Sequence, residues 1–393
     1  MQNKLIKNNE HVISRVEDVL TTALNSNEEF NNDFDGEQSI QFNSKILERD
    51  PYSFSPSEIL FWVERVSYWD ELENYRNEEI ESQHKELISF LFNSNQDTIF
   101  EGLVDSIRRQ RITPFVGAGI SKGYSYPLWG EALDSIYEEL KDLGIDEYNE
   151  LIKSNSYLEA AQVLFEKDPQ QFNYFIKKRF EITEATKKEI CKPGIPQLLT
   201  KITNGAVITT NYDKILEVVF EAENKPFQGF MHGVQQKNQF VSKLIKGDRC
   251  ILKLHGDVEY EDTYIFCKQQ YDNAYNIDER TIDFKKPLPK TLRQIFISNS
   301  LLFLGCSLEQ DRTLELFKFI KEEGQFEIPE HFALLENKNP DNRAWKRETE
   351  NRLLPINIRP IWYPKGKYNM PAEMLGLALD VVNGKVEFKK PQK

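Results

Sequence analysis

The chain has 393 residues, 39% of them hydrophobic and 29% charged, a balance that fits a water-wetted globular protein with room for two or three domains. No apolar run reaches the length of a bilayer span, and the opening MQNKLIKNNEHV has no signal-peptide core, so neither membrane insertion nor secretion is expected. The net charge of −13 is lopsided: residues 1–100 carry 20 Asp and Glu against 8 Lys and Arg, a segment that phosphate backbones would repel, which argues against direct nucleic-acid binding there.

In chain order, apolar residues at three- and four-residue spacing predict helices over 10–25 and 57–93, with Ser55 as N-cap and Pro56 in the first turn of the second. Between them, residues 26–51 are rich in Asn, Asp, Glu and Ser and read as a mobile loop. A third helix, about 97–110, leads into a strand. From there the texture alternates. Short apolar runs fit buried parallel strands at 112–116 (ITPFV), 205–210 (GAVITT), 251–254 (ILKL), 300–304 (SLLFL), 331–335 (HFALL) and 357–362 (NIRPIW). The expected fold is α/β, a doubly wound, mostly parallel Rossmann-like sheet. The interval 130–200 is too long for one crossover helix and predicts an inserted helical subdomain. The expected organisation is an acidic helical segment over 1–96, an α/β domain over 97–365, and a C-terminal helix with a loose basic tail over 366–393.

Chemistry concentrates where strands end. The first strand runs into Gly117-Ala118-Gly119-Ile120-Ser121, a glycine pair that would permit positive φ and let backbone N–H groups approach a phosphate. A full G-x-G-x-x-G fingerprint would need glycine at Lys122; glycine returns only at Gly123. The second strand ends in Thr209-Thr210-Asn211-Tyr212-Asp213, the third in His255-Gly256-Asp257, and the fourth in Gly305-Cys306-Ser307. Parallel strands bring these ends to one edge, where open α/β sheets bind ligands. His232 also precedes a glycine but follows no clear strand in the sequence, which makes it a lesser candidate. The cysteines Cys191, Cys250, Cys267 and Cys306 are scattered without a C-x-x-C pair, which fits a reducing cytoplasm and offers no structural zinc site.

The combination FVGAGIS (115–121), PLW (127–129), ITTNYD (208–213), KLHGD (253–257) and LFLGCSLEQD (302–311) resembles the sirtuin-like NAD-binding family. Its TTNYD and HGD are similar to those of the bacterial antiviral, NAD-consuming branch, whereas protein deacylases carry Gln-Asn-Ile-Asp at the first of these sites. The resemblance implies a cytoplasmic NAD glycohydrolase with NAD as substrate and no metal. It implies catalytic roles for Asn211 and His255, and cofactor contacts from Gly117, Ala118, Gly119, Ile120, Ser121, Thr210, Asp213, Gly305 and Ser307. Deacylating relatives hold a four-cysteine zinc module that this chain lacks. A deacylase or ADP-ribosyltransferase, and a non-catalytic nucleotide-binding module, are the alternative readings. A free NAD hydrolase would harm its own cell, so gating is expected. It would come from self-association, from the acidic segment, or from a partner, for which a hexameric ATPase of the HerA type is the preferred candidate.

Overall fold

The computed structural model describes residues 10–42, 52–235, 239–275, 277–278, 281–309 and 312–390. The chain divides into two compact units, residues 1–85 with 385–387, and residues 86–384 with 388–393.

The first unit is built on helices. Glu10–Asn25, Glu28–Asp35 and Pro56–Val63 precede a long helix, Arg65–Asn93, that begins in this unit. Pro56–Val63 starts on a capping box: Ser55 accepts from the Glu58 N–H while the Glu58 carboxylate accepts from the Ser55 N–H. The helix predicted over 57–93 is in fact two, interrupted at Glu64, where φ −135° and ψ 70° leave the helical region. Leu24, Phe30, Phe61, Tyr68 and Leu72 form the unit's own core. The predicted loop over 26–51 is largely structured where it is described. Glu28–Asp35 is helical because Phe30 is anchored among Tyr68 and Tyr75, and Ile40–Phe42 pairs antiparallel with Tyr52–Phe54. Residues 43–51 lie outside the described residues.

The second unit holds a seven-stranded sheet. Its strands in chain order are β1 (Ile112–Val116), β2 (Ala206–Thr209), β3 (Gly229–His232), β4 (Cys250–Lys253), β5 (Ser300–Leu304), β6 (His331–Asn337) and β7 (Ile358–Pro364). The spatial order is β7-β6-β5-β1-β2-β4-β3, and every neighbouring pair is parallel. β1, β2, β4 and β5 are buried along their whole length, which is why they read as unbroken apolar runs. β3 is the strand that the sequence reading missed. It occupies the sheet edge, spans only GFMH and exposes Phe230, so neither an apolar run nor a clean alternation marks it.

The chain passes from β1 to β2 on one side, out to β3 and back to β4, then crosses to the other side of β1 for β5, β6 and β7. β1 is therefore flanked by strands reached in opposite directions, the switch point at which open α/β sheets form a crevice. Helices Trp129–Leu140, Tyr148–Lys153, Tyr157–Lys167, Pro169–Phe180, Glu184–Ile190 and Ile195–Ile202 fill the connection from β1 to β2. Many of their apolar faces share a core with Tyr212, Tyr264 and Phe266, and Trp129 stacks on Phe266 with ring centroids 5.0 Å apart. After helix Met370–Val382 the chain end is not loose through residue 390, because Phe388 packs on Phe92 and Phe100 at 5.2 and 5.0 Å.

Candidate functional site

Register aligns the strand ends. Val116 of β1 pairs with Thr209 of β2 and with Leu304 of β5, and Thr209 pairs in turn with Lys253 of β4. Asn211 and His255 thus lie the same two residues beyond adjacent strands, and the 117–121 and 305–307 segments leave β1 and β5 side by side.

The glycine loop is shaped by packing, and this corrects its expected conformation. Neither Gly117 nor Gly119 takes a positive φ; Gly117 is extended at φ −104° and N-caps a short helix, Ala118–Lys122. What demands glycine is the neighbouring loop. A Cβ on Gly117 would sit 2.6 Å from the Gly305 carbonyl oxygen, and one on Gly119 would sit 2.9 Å from it. Gly305 itself is left-handed at φ +67°. The Gly117 N–H donates to the Leu304 carbonyl and the Gly119 N–H to the Gly305 carbonyl, while the Ile120 N–H returns to the Gly117 carbonyl. Three of the amides expected to hold phosphate are therefore engaged within the protein.

Asn211 is the hub of a buried hydrogen-bond chain. Its Nδ2 donates to Ser121 Oγ at 2.7 Å and to the Gly117 carbonyl at 3.2 Å. Ser121 Oγ donates to Asp213 Oδ2 at 2.6 Å, and Asp213 Oδ1 accepts from the Ile215 N–H. Burial pushes the Asp213 carboxyl above its ordinary range, against the pull of Lys253 and the Ser121 hydroxyl. With both amide hydrogens engaged, Asn211 can offer a ligand only its Oδ1, to which Thr210 Oγ1 makes a long 3.4 Å contact. Ser121 and Asp213, both expected as ligand contacts, are linked to Asn211 through this chain.

His255 is partly buried, and its ring bonds the Thr210 backbone, one residue from Asn211. Burial lowers its pKa to about 4, so the imidazole is neutral across the physiological range and less basic than an exposed histidine. The Tyr271 hydroxyl, which the sequence reading did not single out, lies 3.3 Å from Nδ1 and 3.2 Å from Nε2, with the rings T-shaped at 5.0 Å. Gly256 follows at φ +98°, where a Cβ would meet the Thr263 carbonyl oxygen at 2.3 Å. After β5, Ser307 is exposed, and Leu308 holds φ +53°, an uncommon conformation for a bulky residue.

Beneath this edge lies a charge cluster that the motif reading passed over. Lys253 is fully buried. Its Nζ donates to the Tyr212 and Asp213 carbonyls at 3.0 and 2.6 Å and lies 2.8 Å from Asp257 Oδ2 and 3.1 Å from Glu217 Oε1. Burial opposes ionisation of Asp257, but Lys253 and Lys214 outweigh it and hold the carboxyl down at about 2. The first and last residues of KLHGD are therefore a buried pair that grips the loop after β2; their i, i+4 spacing was the available signal. His232, ranked lower because it followed no clear strand, does end one, β3, and is buried with Nε2 3.9 Å from Asp257 Oδ2. It faces a different cavity from the one that Asn211 and His255 would serve, a pocket of about 650 Å³ also lined by Lys214, Glu217, Phe230 and Tyr260.

Fold and strand ends together define an open α/β protein whose crevice is built from the loops after β1, β2, β4 and β5. Residues 205–361 match the family model described as SIR2-like domain. The glycine loop precedes the matched residues. Among curated proteins the chain is 25% identical over 230 residues to "NAD(+) hydrolase ThsA" of Bacillus cereus, which covers 58% of this chain and 44% of that protein. It is 24% identical over 287 residues to "Defense-associated sirtuin 2" of Bacillus subtilis, covering 69% and 25%. It is 23% identical over 257 residues to "NAD(+) hydrolase ThsA" of Acinetobacter baumannii, covering 63% and 47%. The matches span less than half the length of each of these relatives. No helix among the described residues is long and apolar enough to cross a membrane.

Proposed function

We propose that the chain is an NAD glycohydrolase effector of bacterial anti-phage defence. The observation that carries the reading is the buried Asn211–Ser121–Asp213 chain, set one residue from the His255 contact at the switch point of a SIR2-like sheet. The names of the relatives, NAD(+) hydrolase and defense-associated sirtuin, support it.

In this reading, NAD lies across the crevice with its pyrophosphate toward the 117–121 and 305–307 loops. The nicotinamide–ribose bond breaks toward an oxocarbenium-like state because the leaving pyridine already carries positive charge. Water adds to the ribose carbon, and NAD plus water gives nicotinamide, ADP-ribose and a proton. Asn211 Oδ1 accepts a hydrogen bond from the water or a ribose hydroxyl and so fixes its direction. The neutral His255 imidazole accepts the proton released as the water adds. The Ser121 hydroxyl and Asp213 carboxylate keep the Asn211 amide from rotating.

Cytoplasmic action and gating by assembly belong to the same proposal, with a homo-oligomer or a HerA-type ATPase as the activating partner. The experiment is to incubate the purified full chain with NAD, across protein concentration and with and without the ATPase, and to measure nicotinamide. Nicotinamide release that rises with concentration or with the partner supports the reading. Release only in the presence of an acetylated peptide would favour a deacylase.

A further inference from the structure

A pocket opens at the edge of the sheet, among the end of β3, helix Ile215–Ala222 and the 257–260 turn. The pocket there has a volume of about 650 Å³, within the range of small-molecule sites. Two of its lining side chains carry a buried atom without a hydrogen-bond partner among the described residues, His232 Nε2 and Glu217 Oε2. His232 is only 6% exposed, so this unmet polar atom is costly unless a ligand supplies the missing bond.

Charge and shape narrow the ligand. Among the described residues, Glu217, Glu221 and Glu259 line the pocket, against one cation, Lys214. That ammonium is already 2.8 Å from Asp257, 3.0 Å from Glu259 and 3.7 Å from Glu217, so it has little to offer an anion. Burial lowers the His232 pKa to about 4 and keeps the ring uncharged, so it does not repel a cation. The walls are aromatic: Tyr260 stacks on His232 at 5.3 Å and 25°, and Phe230 meets it edge-on at 6.2 Å. The Tyr260 ring already takes a cation, with Lys214 Nζ 5.9 Å from its centroid, and a flat cationic group against the Tyr260 and Phe230 rings gains stacking and cation–π attraction.

We infer that this pocket binds a small planar organic cation of the amidinium or guanidinium type, its N–H groups donating to Glu217 Oε2 and His232 Nε2 and its plane lying against Tyr260 and Phe230. The inference is independent of the NAD-hydrolase reading, because it concerns a different cavity and is tested by binding alone. The two places are nevertheless linked. Glu217 shares Lys253 with the Tyr212 and Asp213 carbonyls, so a cation at Glu217 bears on the loop that carries Asn211.

Calorimetric titration of the full chain tests this, with benzamidine as the aromatic probe and agmatine as the aliphatic one. Binding of benzamidine at about millimolar or tighter affinity is expected, weakened at least ~5-fold by Tyr260→Ala and by Glu217→Gln. Tyr260 is about half exposed, so its variant keeps the test valid even where Glu217→Gln perturbs the fold. Three results would each overturn the inference: no benzamidine binding to wild type, binding indifferent to Tyr260→Ala, or equal affinity for neutral adenosine with the same sensitivity to Tyr260→Ala.

Discussion

Lys253 and Asp257 flank the His255-Gly256 pair and form an ion pair with no exposed side-chain surface, Nζ to Oδ2 at 2.8 Å. The same ammonium holds the carbonyls of Tyr212 and Asp213, so one buried charge ties the end of β4 to the loop after β2. Removing one partner of a buried pair leaves the other charge poorly compensated. Lys253→Met is therefore expected to destabilise the protein by about 3 kcal/mol, the low end of the usual range because Lys214 still faces Asp257. Denaturant unfolding of the full chain measures it, and a loss below ~0.5 kcal/mol would contradict the role assigned to Lys253.

Gly119→Val is expected to lower both stability and NAD affinity, for a reason other than backbone conformation. The added side chain meets the Gly305 carbonyl, so the loops after β1 and β5 must part. Gly119→Ala already introduces the 2.9 Å contact and should show a smaller version of the same loss. Melting temperatures and NAD titrations of both variants check it. Wild-type values for Gly119→Val would mean that the two loops separate at no cost.

Three histidines whose pKa burial depresses give a pH signature. Burial lowers His232 and His255 to about 4 and His331 to about 3, while the unfolded chain keeps a value near 6.5. The unfolded state therefore binds more protons between these limits, and stability falls as pH drops below 6.5. The slope is about 1.4 kcal/mol per pH unit for each histidine, ending near pH 4 for His232 and His255 and near pH 3 for His331. Above pH 6.5 none of the three contributes to the slope. Unfolding free energies measured from pH 7 down to 4.5 test this, and His331→Phe should flatten the slope. His331 Nδ1 accepts from the Leu301 N–H, so that variant also loses one buried bond at every pH.

Ser121→Ala isolates positioning from chemistry. The variant removes the acceptor of the Asn211 Nδ2 bond and the donor to Asp213. The expected result is a fall in NAD turnover of about tenfold or more with little change in KM, since the amide loses its fixed direction. Ser121→Thr keeps the hydroxyl and should restore much of the rate. Equal rates for wild type and Ser121→Ala would separate Ser121 from the site.

The legible parts of the chain were those with a strong period or a fully buried run. β1, β2, β4 and β5 announced themselves because both faces of each are covered, and the helices expected over 10–25 and about 97–110, the latter ending at Arg108, because their apolar residues recur at helical spacing. β3 was hidden because four residues at an edge, one of them an exposed Phe230, leave no pattern. The residues of the strand-end motifs were visible, but their contacts were not. That Gly117 and Gly119 answer to Gly305, that Ser121 reaches Asn211, and that Lys253 serves the loop after β2 depend on side chains about 40 to 190 residues apart. Tyr271 had no local signal at all; only the fold sets it against His255.

The central claim is that Asn211 and His255 together drive cleavage of NAD. Its most direct test is nicotinamide release by full-length wild type, Asn211→Ala and His255→Ala, each at high protein concentration and with a HerA-type ATPase added, with melting curves run in parallel. The account predicts release by wild type and a loss of ~10²–10⁴-fold in each variant at unchanged melting temperature. Because burial holds His255 near pKa 4, wild-type activity should also persist down to about pH 5 instead of falling away near 6.5. Near-normal turnover by a folded His255→Ala protein, or no release by wild type under either condition, would contradict it.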